Sequence, residues 1–194
     1  MFAERITDTS GILLGVQILR NETSPLSTIE GRRSEMCNML MAIHRQEAFF
    51  KRRGVFCTIP INDNDDAALV AFDHPCQYAL AKMPYIILQI KQNLYTAFDD
   101  LSRGVNPVWL GDVGNNDIPF TQYCETVVLN ETFTSTELQK ETFPVLIKNI
   151  RRYSDKVVVR ATDFDQRKVL HNAGVWGCTG MYPPLQFKKI HLLM

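Results

Sequence analysis

Residues 108–116, Val-Trp-Leu-Gly-Asp-Val-Gly-Asn-Asn, combine the side chains that most often carry chemistry where a strand ends. Three apolar residues typical of a buried strand lead directly into two glycines, one acid and two asparagines, a composition typical of a tight loop. Asp112 is therefore the first candidate for a catalytic or ligand-binding side chain. Its role depends on which side chains follow the other strands.

The motifs of well-known enzyme classes are absent from the rest of the sequence. Gly111 and Gly114 have neither the GxGxxG spacing nor the GK[S/T] ending of phosphate-binding loops. The sequence also contains no GxSxG elbow, no HExxH motif and no Cys/His nucleophile signature. None of the four histidines is spaced from an acid or a cysteine as metal ligands are, which favours structural or solvated roles for them. They are His44, His74, His171 and His191.

The composition is that of an ordinary globular protein. A chain of 194 residues suffices for one domain with a sizeable core, so a single domain over residues 1–194 is predicted. Basic and acidic residues balance at 21 each, so no overall field draws the protein to nucleic acid or to an anionic membrane. No apolar run is long enough to span a bilayer, and no membrane partner is expected.

The cysteines indicate the compartment. They number five, are widely spread and form no CxxC motif, which is typical of reduced thiols in the cytoplasm. A cytoplasmic protein without a structural zinc or a disulfide framework is therefore predicted.

Basic clusters occupy residues 32–33, 51–53 and 151–152, at predicted helix boundaries. Cations at a helix end stabilise its dipole, so solvated helix caps explain these clusters. Direct nucleic-acid binding is not expected.

Short apolar segments alternate with helical patterns along the chain. The predicted strands cover residues 11–19, 55–61, 84–90, 108–110, 126–129, 156–159 and 175–178. One helix is predicted to begin after Ser34, and another to follow a capping box at 134–137. The other predicted helices cover residues 67–82, with a break at His74-Pro75, 97–101, 165–172 and 184–193. This alternation predicts an α/β protein with a mostly parallel sheet, either closed as a (β/α) barrel or open and doubly wound.

Two local signals refine these elements. Met36, Leu40 and Ile43 recur at three- and four-residue spacing, which predicts that one face of the first helix lies on the core. Pro60 cannot donate a hydrogen bond to a neighbouring strand, so it is predicted at the end of its strand or on an edge.

In chain order, these strand ends resemble the EAL domain, the family of cyclic di-GMP phosphodiesterases. Residues 15–19, GVQIL, resemble the family's GVEAL, and residues 55–62, VFCTIPIN, resemble its strand ending in NLS. ILQIKQN at 87–93 resembles LELEITES, WLGDVGNN at 109–116 resembles LDDFGTGY, and VVLNETF at 127–133 resembles LKIDRSF. Residues 157–166 and 173–184 resemble the closing AEGVETEEQ and LGxxxxQGYxxxxP segments, so the resemblance covers nearly the whole chain.

The resemblance implies a modified, here shortened, TIM-type (β/α) barrel with its site at the carboxyl ends of the strands. In that family, hydrolysis uses magnesium or manganese held by carboxylates and an asparagine, and a lysine helps to orient the attacking water. The resemblance therefore favours the closed barrel over the open sheet.

Compared position by position with the family, this sequence has lost most of those groups. The glutamate of the EAL motif is replaced by Gln17, the asparagine of NLS by Pro60 and the glutamate of the third strand by Gln89. Of the paired aspartates in the fourth loop, the first is replaced by Gly111 and the second is retained as Asp112.

The later strands continue the pattern. The lysine and the aspartate of the fifth strand are replaced by Val128 and Asn130, and the glutamate of AEGVET by Arg160. A two-metal site needs several carboxylates to balance its charge, and neutral amides do not supply that charge. The resemblance thus implies a degenerate phosphodiesterase that binds no metal or other cofactor and is not an enzyme.

A barrel that keeps its apolar strands but not its carboxylates indicates a scaffold used for protein binding. Stand-alone degenerate members of the family include bacterial regulators that bind the flagellar master transcription activator. The resemblance therefore implies a protein partner of this class, a transcription regulator of motility, biofilm formation or virulence. The alternative is a non-hydrolysing cyclic di-GMP receptor. Receptors of the family tend to keep the leucine of the EAL motif and an arginine shortly after it, and here Leu19 is retained while Arg20 lies one residue earlier.

Overall fold

Strands and helices alternate in the computed structural model, which describes residues 1–20, 28–114, 123–161 and 163–193. The strands are β1 Phe2–Thr7, β2 Leu13–Leu19, β3 Phe56–Ile61, β4 Ile86–Lys91, β5 Val108–Val113, β6 Cys124–Leu129, β7 Ser154–Arg160, β8 Gly177–Thr179 and β9 Leu185–Gln186. The helices are α1 Ile29–His44, α2 Glu47–Arg53, α3 Asn64–Phe72, α4 His74–Ala81, α5 Phe98–Ser102, α6 Glu131–Glu137, α7 Phe143–Ile150 and α8 Arg167–Ala173. Turns of 3₁₀ helix occupy Gln92–Ala97, Phe164–Gln166 and Phe187–Leu192.

Eight of these strands close into a barrel. Each strand from β2 to β8 pairs in parallel with the next one, and β1 completes the ring by pairing antiparallel with both β8 and β2. The short β9 pairs with the beginning of β1. The closed barrel confirms the predicted fold class and excludes the open sheet.

The core has two layers, one inside the barrel and one between the barrel and its helices. Inside lie five buried side chains, one from each of five strands: Ile6, Ile87, Trp109, Val128 and Val158. We call these five the interior apolar layer. Outside, the buried stripe of α1 packs on the strands as the spacing predicts. Because parallel barrel strands are buried on both faces, their sequences read as nearly continuous apolar runs.

The starts of helices α3 and α4 are fixed by capping side chains. Asp63 and Asp73 accept from the backbone N–H groups of Asp66 and Cys76, and so begin α3 and α4. The predicted break before Pro75 is confirmed, since Asp73 separates those two helices.

Some predictions of element ends are wrong. Thr28 caps α1, so Ser34 lies inside that helix. Asn130 caps α6, and Thr134, predicted to open a capping box, is buried within it. In both cases the residue that caps the helix lies further upstream than predicted, and the spacing of the apolar residues did not reveal it. The predicted helix at 184–193 is instead β9 followed by 3₁₀ turns.

Pro60 lies in an interior strand, one residue before the end of β3. The pairing of β2 with β3 covers only Phe56 to Thr58, so the missing N–H of Pro60 removes no bond between these two strands. The prediction that Pro60 lies near a strand end is confirmed.

Parts of the predicted loops, residues 21–27 and 115–122, lie outside the described residues. Within the described part of the chain, no helix combines the length and apolarity that crossing a bilayer requires.

Aromatic rings fill the amino end of the barrel. Phe56 contacts Trp109 edge-to-face at 5.0 Å between centroids and stacks on Trp176 at 6.1 Å. A Cβ atom at Gly15 would lie only 2.4 Å from the Phe56 ring, so this glycine makes room for the cluster. Gly177 also faces the interior, opposite Val158, but its added Cβ would meet nothing closer than 3.3 Å.

We expect Gly15→Ala to lower the free energy of unfolding by about 1–3 kcal/mol because the methyl group overpacks a filled core. Gly177→Ala is the matched control, and we expect it to cost less than about 1 kcal/mol. Urea unfolding followed by tryptophan fluorescence measures both. Equal losses in the two variants would contradict this packing.

Candidate functional site

A ring of interior-facing positions surrounds the carboxyl end of the barrel. Side chains alternate along a strand, so the residue two positions beyond each member of the interior apolar layer also faces inward. These positions are Glu4 on the antiparallel β1, Gln89 on β4, Gly111 on β5, Asn130 after β6 and Arg160 on β7. We call this ring, with the strand partners described next, the barrel mouth.

Strand pairing adds the remaining positions. Gln17 pairs with Glu4, Pro60 pairs with Gln89, and Thr179 pairs with Arg160. Six of the eight predicted site residues therefore lie around one opening: Gln17, Pro60, Gln89, Gly111, Asn130 and Arg160.

The other two predicted residues are placed differently. Val128 belongs to the interior apolar layer, one layer below the mouth, and is 8% exposed. Asp112 lies where the pairing of β5 with β6 shifts register between Leu110 and Val113. Its φ of 59° is in the left-handed region, which aspartate tolerates better than most residues.

Arg160 is the centre of an ion cluster at the mouth. Its Nη1 donates to Glu4 Oε2 at 2.8 Å, and its Nε lies 3.0 Å from Glu131 Oε2. Glu4 is 1% exposed, whereas Glu131 is largely exposed. Burial raises the pKa of the Glu4 carboxyl group, and the neighbouring Arg160 guanidinium opposes that rise only in part.

Asn130 holds Asp112 in place. The Asn130 side-chain amide donates to Asp112 Oδ1 at 2.5 Å, while its Oδ1 accepts from the backbone N–H of Phe133. The same side chain thus caps α6 and fixes the strand-end aspartate. Both residues therefore have structural roles in this conformation.

Gln89 fits against Gly111. A Cβ atom at Gly111 would lie 2.8 Å from Gln89 Nε2, so the glycine leaves space for this amide. Gln89 Oε1 is buried without a hydrogen-bond partner in the described part of the protein, as is the hydroxyl of Thr58. The interior below the mouth is therefore polar enough to bind water molecules.

The arrangement is poorly suited to a divalent metal. Among residues 1–20, 28–114, 123–161 and 163–193, no group of three or more His, Cys, Asp or Glu side chains could hold one. Magnesium requires several hard, anionic oxygens in a near-octahedral array. Here Glu4 and Glu131 are engaged by Arg160, and Gln17 and Gln89 are neutral.

Glu4 was missed by the sequence analysis because β1 was not predicted. The adjacent charges of Glu4 and Arg5 interrupt the apolar alternation of this strand. The turn-forming composition of residues 7–11, Thr-Asp-Thr-Ser-Gly, just before β2 was the available signal for a hairpin.

Arg20 directly follows β2, and its side chain is engaged in ion pairs. Its guanidinium pairs with Asp66 and with Glu35, the latter at 3.2 Å, and only 12% of its side chain is exposed. Burial lowers the pKa of Arg20, but these two carboxylates outweigh that effect and hold it above its ordinary value. The residue ties the end of β2 to α1 and α3.

Solved structures of EAL-domain proteins share this barrel. The EAL-like domain protein YdiV has a TM-score of 0.84 at 17% identity, over 100% of this chain and 94% of YdiV. The EAL enzyme Bd1971, with cAMP and cyclic di-GMP bound, has a TM-score of 0.76 at 13% identity, over 99% of this chain and 63% of Bd1971. BlrP1 of Klebsiella pneumoniae, in a calcium and cyclic di-GMP complex, has a TM-score of 0.64 at 11% identity, over 95% of this chain and 55% of BlrP1.

The chain therefore has the EAL-type barrel fold. It spans under two thirds of the length of the last two proteins and nearly all of YdiV. Sequence models of known families give no match, and neither do curated protein sequences.

The raised pKa of Glu4 makes stability depend on pH. A carboxyl group whose pKa is higher in the folded protein than its ordinary value of 4.5 stabilises the fold below that value, and this contribution is lost as pH rises through the folded pKa. We expect Glu4→Gln to match or exceed the native unfolding free energy near pH 7, by roughly 1 kcal/mol at most, and the difference to vanish below about pH 4.

Urea unfolding at a series of pH values measures this dependence. Glu131→Gln is the control, because Glu131 contacts the same arginine from an exposed position and should change stability by a few tenths of a kcal/mol, roughly. If the free energy of unfolding of Glu4→Gln were lower than that of the native chain at neutral pH but equal to it in acid, the pairing with Arg160 would instead lower the pKa of Glu4.

Proposed function

We propose that this chain is a non-catalytic EAL-like regulatory protein that acts by binding another protein. The observation that carries the proposal is the chemistry of the barrel mouth. Gln17, Pro60, Gln89 and Gly111 occupy the positions where the resemblance expects metal-binding side chains. None of them can supply the negative charge that a two-metal hydrolytic site requires.

The ion cluster supports the same conclusion. Arg160 stands where the resemblance expects a glutamate, and its guanidinium engages both Glu4 and Glu131. A fixed cation at this position would repel a divalent metal. Val128, at the position expected for the lysine that orients water, belongs to the interior apolar layer and has no polar group.

The proposed partner is a bacterial transcription regulator of motility, biofilm formation or virulence, and the proposed compartment is the cytoplasm. The likeness of the fold to the EAL-like domain protein YdiV, over nearly the full length of both chains, supports an EAL-like role. The five cysteines are all free thiols, four of them buried, in agreement with a reducing compartment.

A non-hydrolysing cyclic di-GMP receptor is the second candidate. It is favoured by the likeness to Bd1971 and BlrP1, whose structures contain cyclic di-GMP. This receptor hypothesis depends on Arg20. The Arg20 side chain already pairs with Asp66 and Glu35, so it has a structural role. Protein binding therefore remains the leading proposal.

Isothermal titration with cyclic di-GMP, with and without magnesium, distinguishes the two candidates. We expect no saturable binding and no conversion to the linear dinucleotide under either condition. Micromolar binding without turnover would favour the receptor, and turnover would overturn the non-catalytic proposal. Affinity capture from the native host, followed by mass spectrometry, then identifies the protein partner.

Replacing Asp112 tests whether the mouth is still used. Asp112→Asn keeps the acceptor oxygen for Asn130 and tolerates the left-handed backbone, so it removes only the charge. We expect partner capture to be unchanged in this variant. Asp112→Ala should bind equally well while unfolding about 1 kcal/mol more easily, because alanine is strained at positive φ. Loss of capture in a folded Asp112→Asn protein would place the partner at the mouth.

A further inference from the structure

Two partly buried arginines have no counter-ion among the residues that the structure describes. Among the described residues, five arginine side chains are partly buried: Arg5, Arg20, Arg32, Arg160 and Arg167. Arg20, Arg32 and Arg160 each pair with carboxylates. Arg5 and Arg167 have no carboxylate within ion-pair distance in the described part of the chain, although a guanidinium taken from water usually requires one.

Both of these arginines contact one side chain, Tyr182. The Arg5 guanidinium lies over the Tyr182 ring, with its Cζ 4.6 Å from the centroid. Arg167 Nη2 donates to the Tyr182 hydroxyl oxygen at 3.1 Å. Two positive charges are thereby held at one phenol, where they repel each other.

The surrounding contacts hold Arg167 in this position. Its Cζ lies 4.6 Å from the centroid of Phe164, and the rings of Phe164 and Tyr182 meet edge-to-face at 5.4 Å. Its Nε also donates to Met181 Sδ at 3.4 Å. A Cβ atom at Gly11 would lie 3.1 Å from both of its terminal nitrogens, so the turn after β1 passes close to the guanidinium.

The acidic side chains on the adjoining turns form no ion pair with either arginine, and two of them accept local hydrogen bonds instead. Asp8 Oδ1 accepts hydrogen bonds from Ser10 and Ile12, which lower the pKa of Asp8, and Asp163 Oδ1 accepts from the Asp165 backbone. The Nε atom of Arg5 is buried and has no hydrogen-bond partner among the described residues. No carboxylate of the described residues therefore neutralises this pair of guanidiniums.

We propose that Arg5, Arg167 and Tyr182 form a binding site for a phosphate group on the outer face of the barrel. Guanidinium groups present planar pairs of N–H donors that match phosphate oxygens, and two of them balance a dianion. Because the Tyr182 hydroxyl accepts from Arg167, its own hydrogen is available as a further donor. Arg5 alternates with the inward-facing Glu4 and Ile6, so the site is separate from the mouth and independent of the proposed function.

The phosphate can belong to a small molecule or to a phosphorylated side chain of a protein. Phe164, which contacts Arg167 and Tyr182, is 48% exposed and would contact whatever carries the phosphate. Titrations with inorganic phosphate and with a short phosphoserine peptide therefore distinguish the sources. Equal affinities indicate a site for small phosphates, and tighter binding of the peptide that is lost in Phe164→Ala indicates a protein ligand.

Calorimetric titration of the full chain with inorganic phosphate, against chloride at equal ionic strength, tests the site directly. We expect saturable binding of phosphate alone. Arg5→Gln and Arg167→Gln should each weaken it by about tenfold, because each removes a charge-assisted pair of hydrogen bonds, and the double variant should abolish it. Arg53→Gln, which removes an exposed arginine at the end of α2, is the matched control and should bind as the native chain does.

Two results would overturn the site. One is an unmodified chain that responds to phosphate no more than to chloride, a measurement that needs no variant. The other is a double variant with native circular dichroism that keeps its affinity for phosphate. If a glutamine variant does not fold, the lysine substitutions keep the charge but lose the paired donors, and we expect them to weaken binding as well.

Discussion

The ion pair between Glu4 and Arg160 joins residues 156 positions apart in the sequence and crosses the place where the barrel closes. Glu4 lies on β1, the antiparallel strand that completes the ring, and Arg160 ends β7. The two strands lie on either side of β8, so the ion pair spans the strand at which the ring closes. A charged Glu4 without this partner would be an uncompensated buried carboxylate, which is why the guanidinium must lie here. The same contact places a fixed cation at the mouth, so the closing strands and the chemistry of the mouth are joined at one point.

The direction of the helices explains why so much polarity gathers at one end. Helices that follow parallel strands begin at the carboxyl end of the barrel, and α1, α3 and α6 are each capped there by a side-chain oxygen. Asp63 and Asn130 serve in this way beside the mouth. Their presence at strand ends follows from helix capping and is no sign of catalysis, and for Asn130 the cap also fixes Asp112.

The fold was accessible from the sequence where apolar spacing is regular. The parallel strands and the buried stripe of α1 were predicted because barrel strands are buried on both faces and surface helices on one. The hairpin that carries Glu4 was missed because charged residues interrupt it, and the caps at Thr28 and Asn130 were missed because competing cap-forming residues lay nearby. For the site, the family resemblance identified eight positions, and six of them lie around one opening. Spacing alone could not show that Arg160 is paired, since its partner lies at the other end of the chain.

The position of β1 has a consequence for how the chain acquires its structure. β1 is made before all the other strands of the barrel, yet two of its partners, β8 and β9, follow the other seven strands in the sequence. Until those segments emerge, the β1–β2 hairpin leaves one edge of β1 unpaired and the interior apolar layer uncovered on that side. Ring closure must therefore wait for synthesis of β8, and a barrel without its strands after β7 would be an open sheet prone to association.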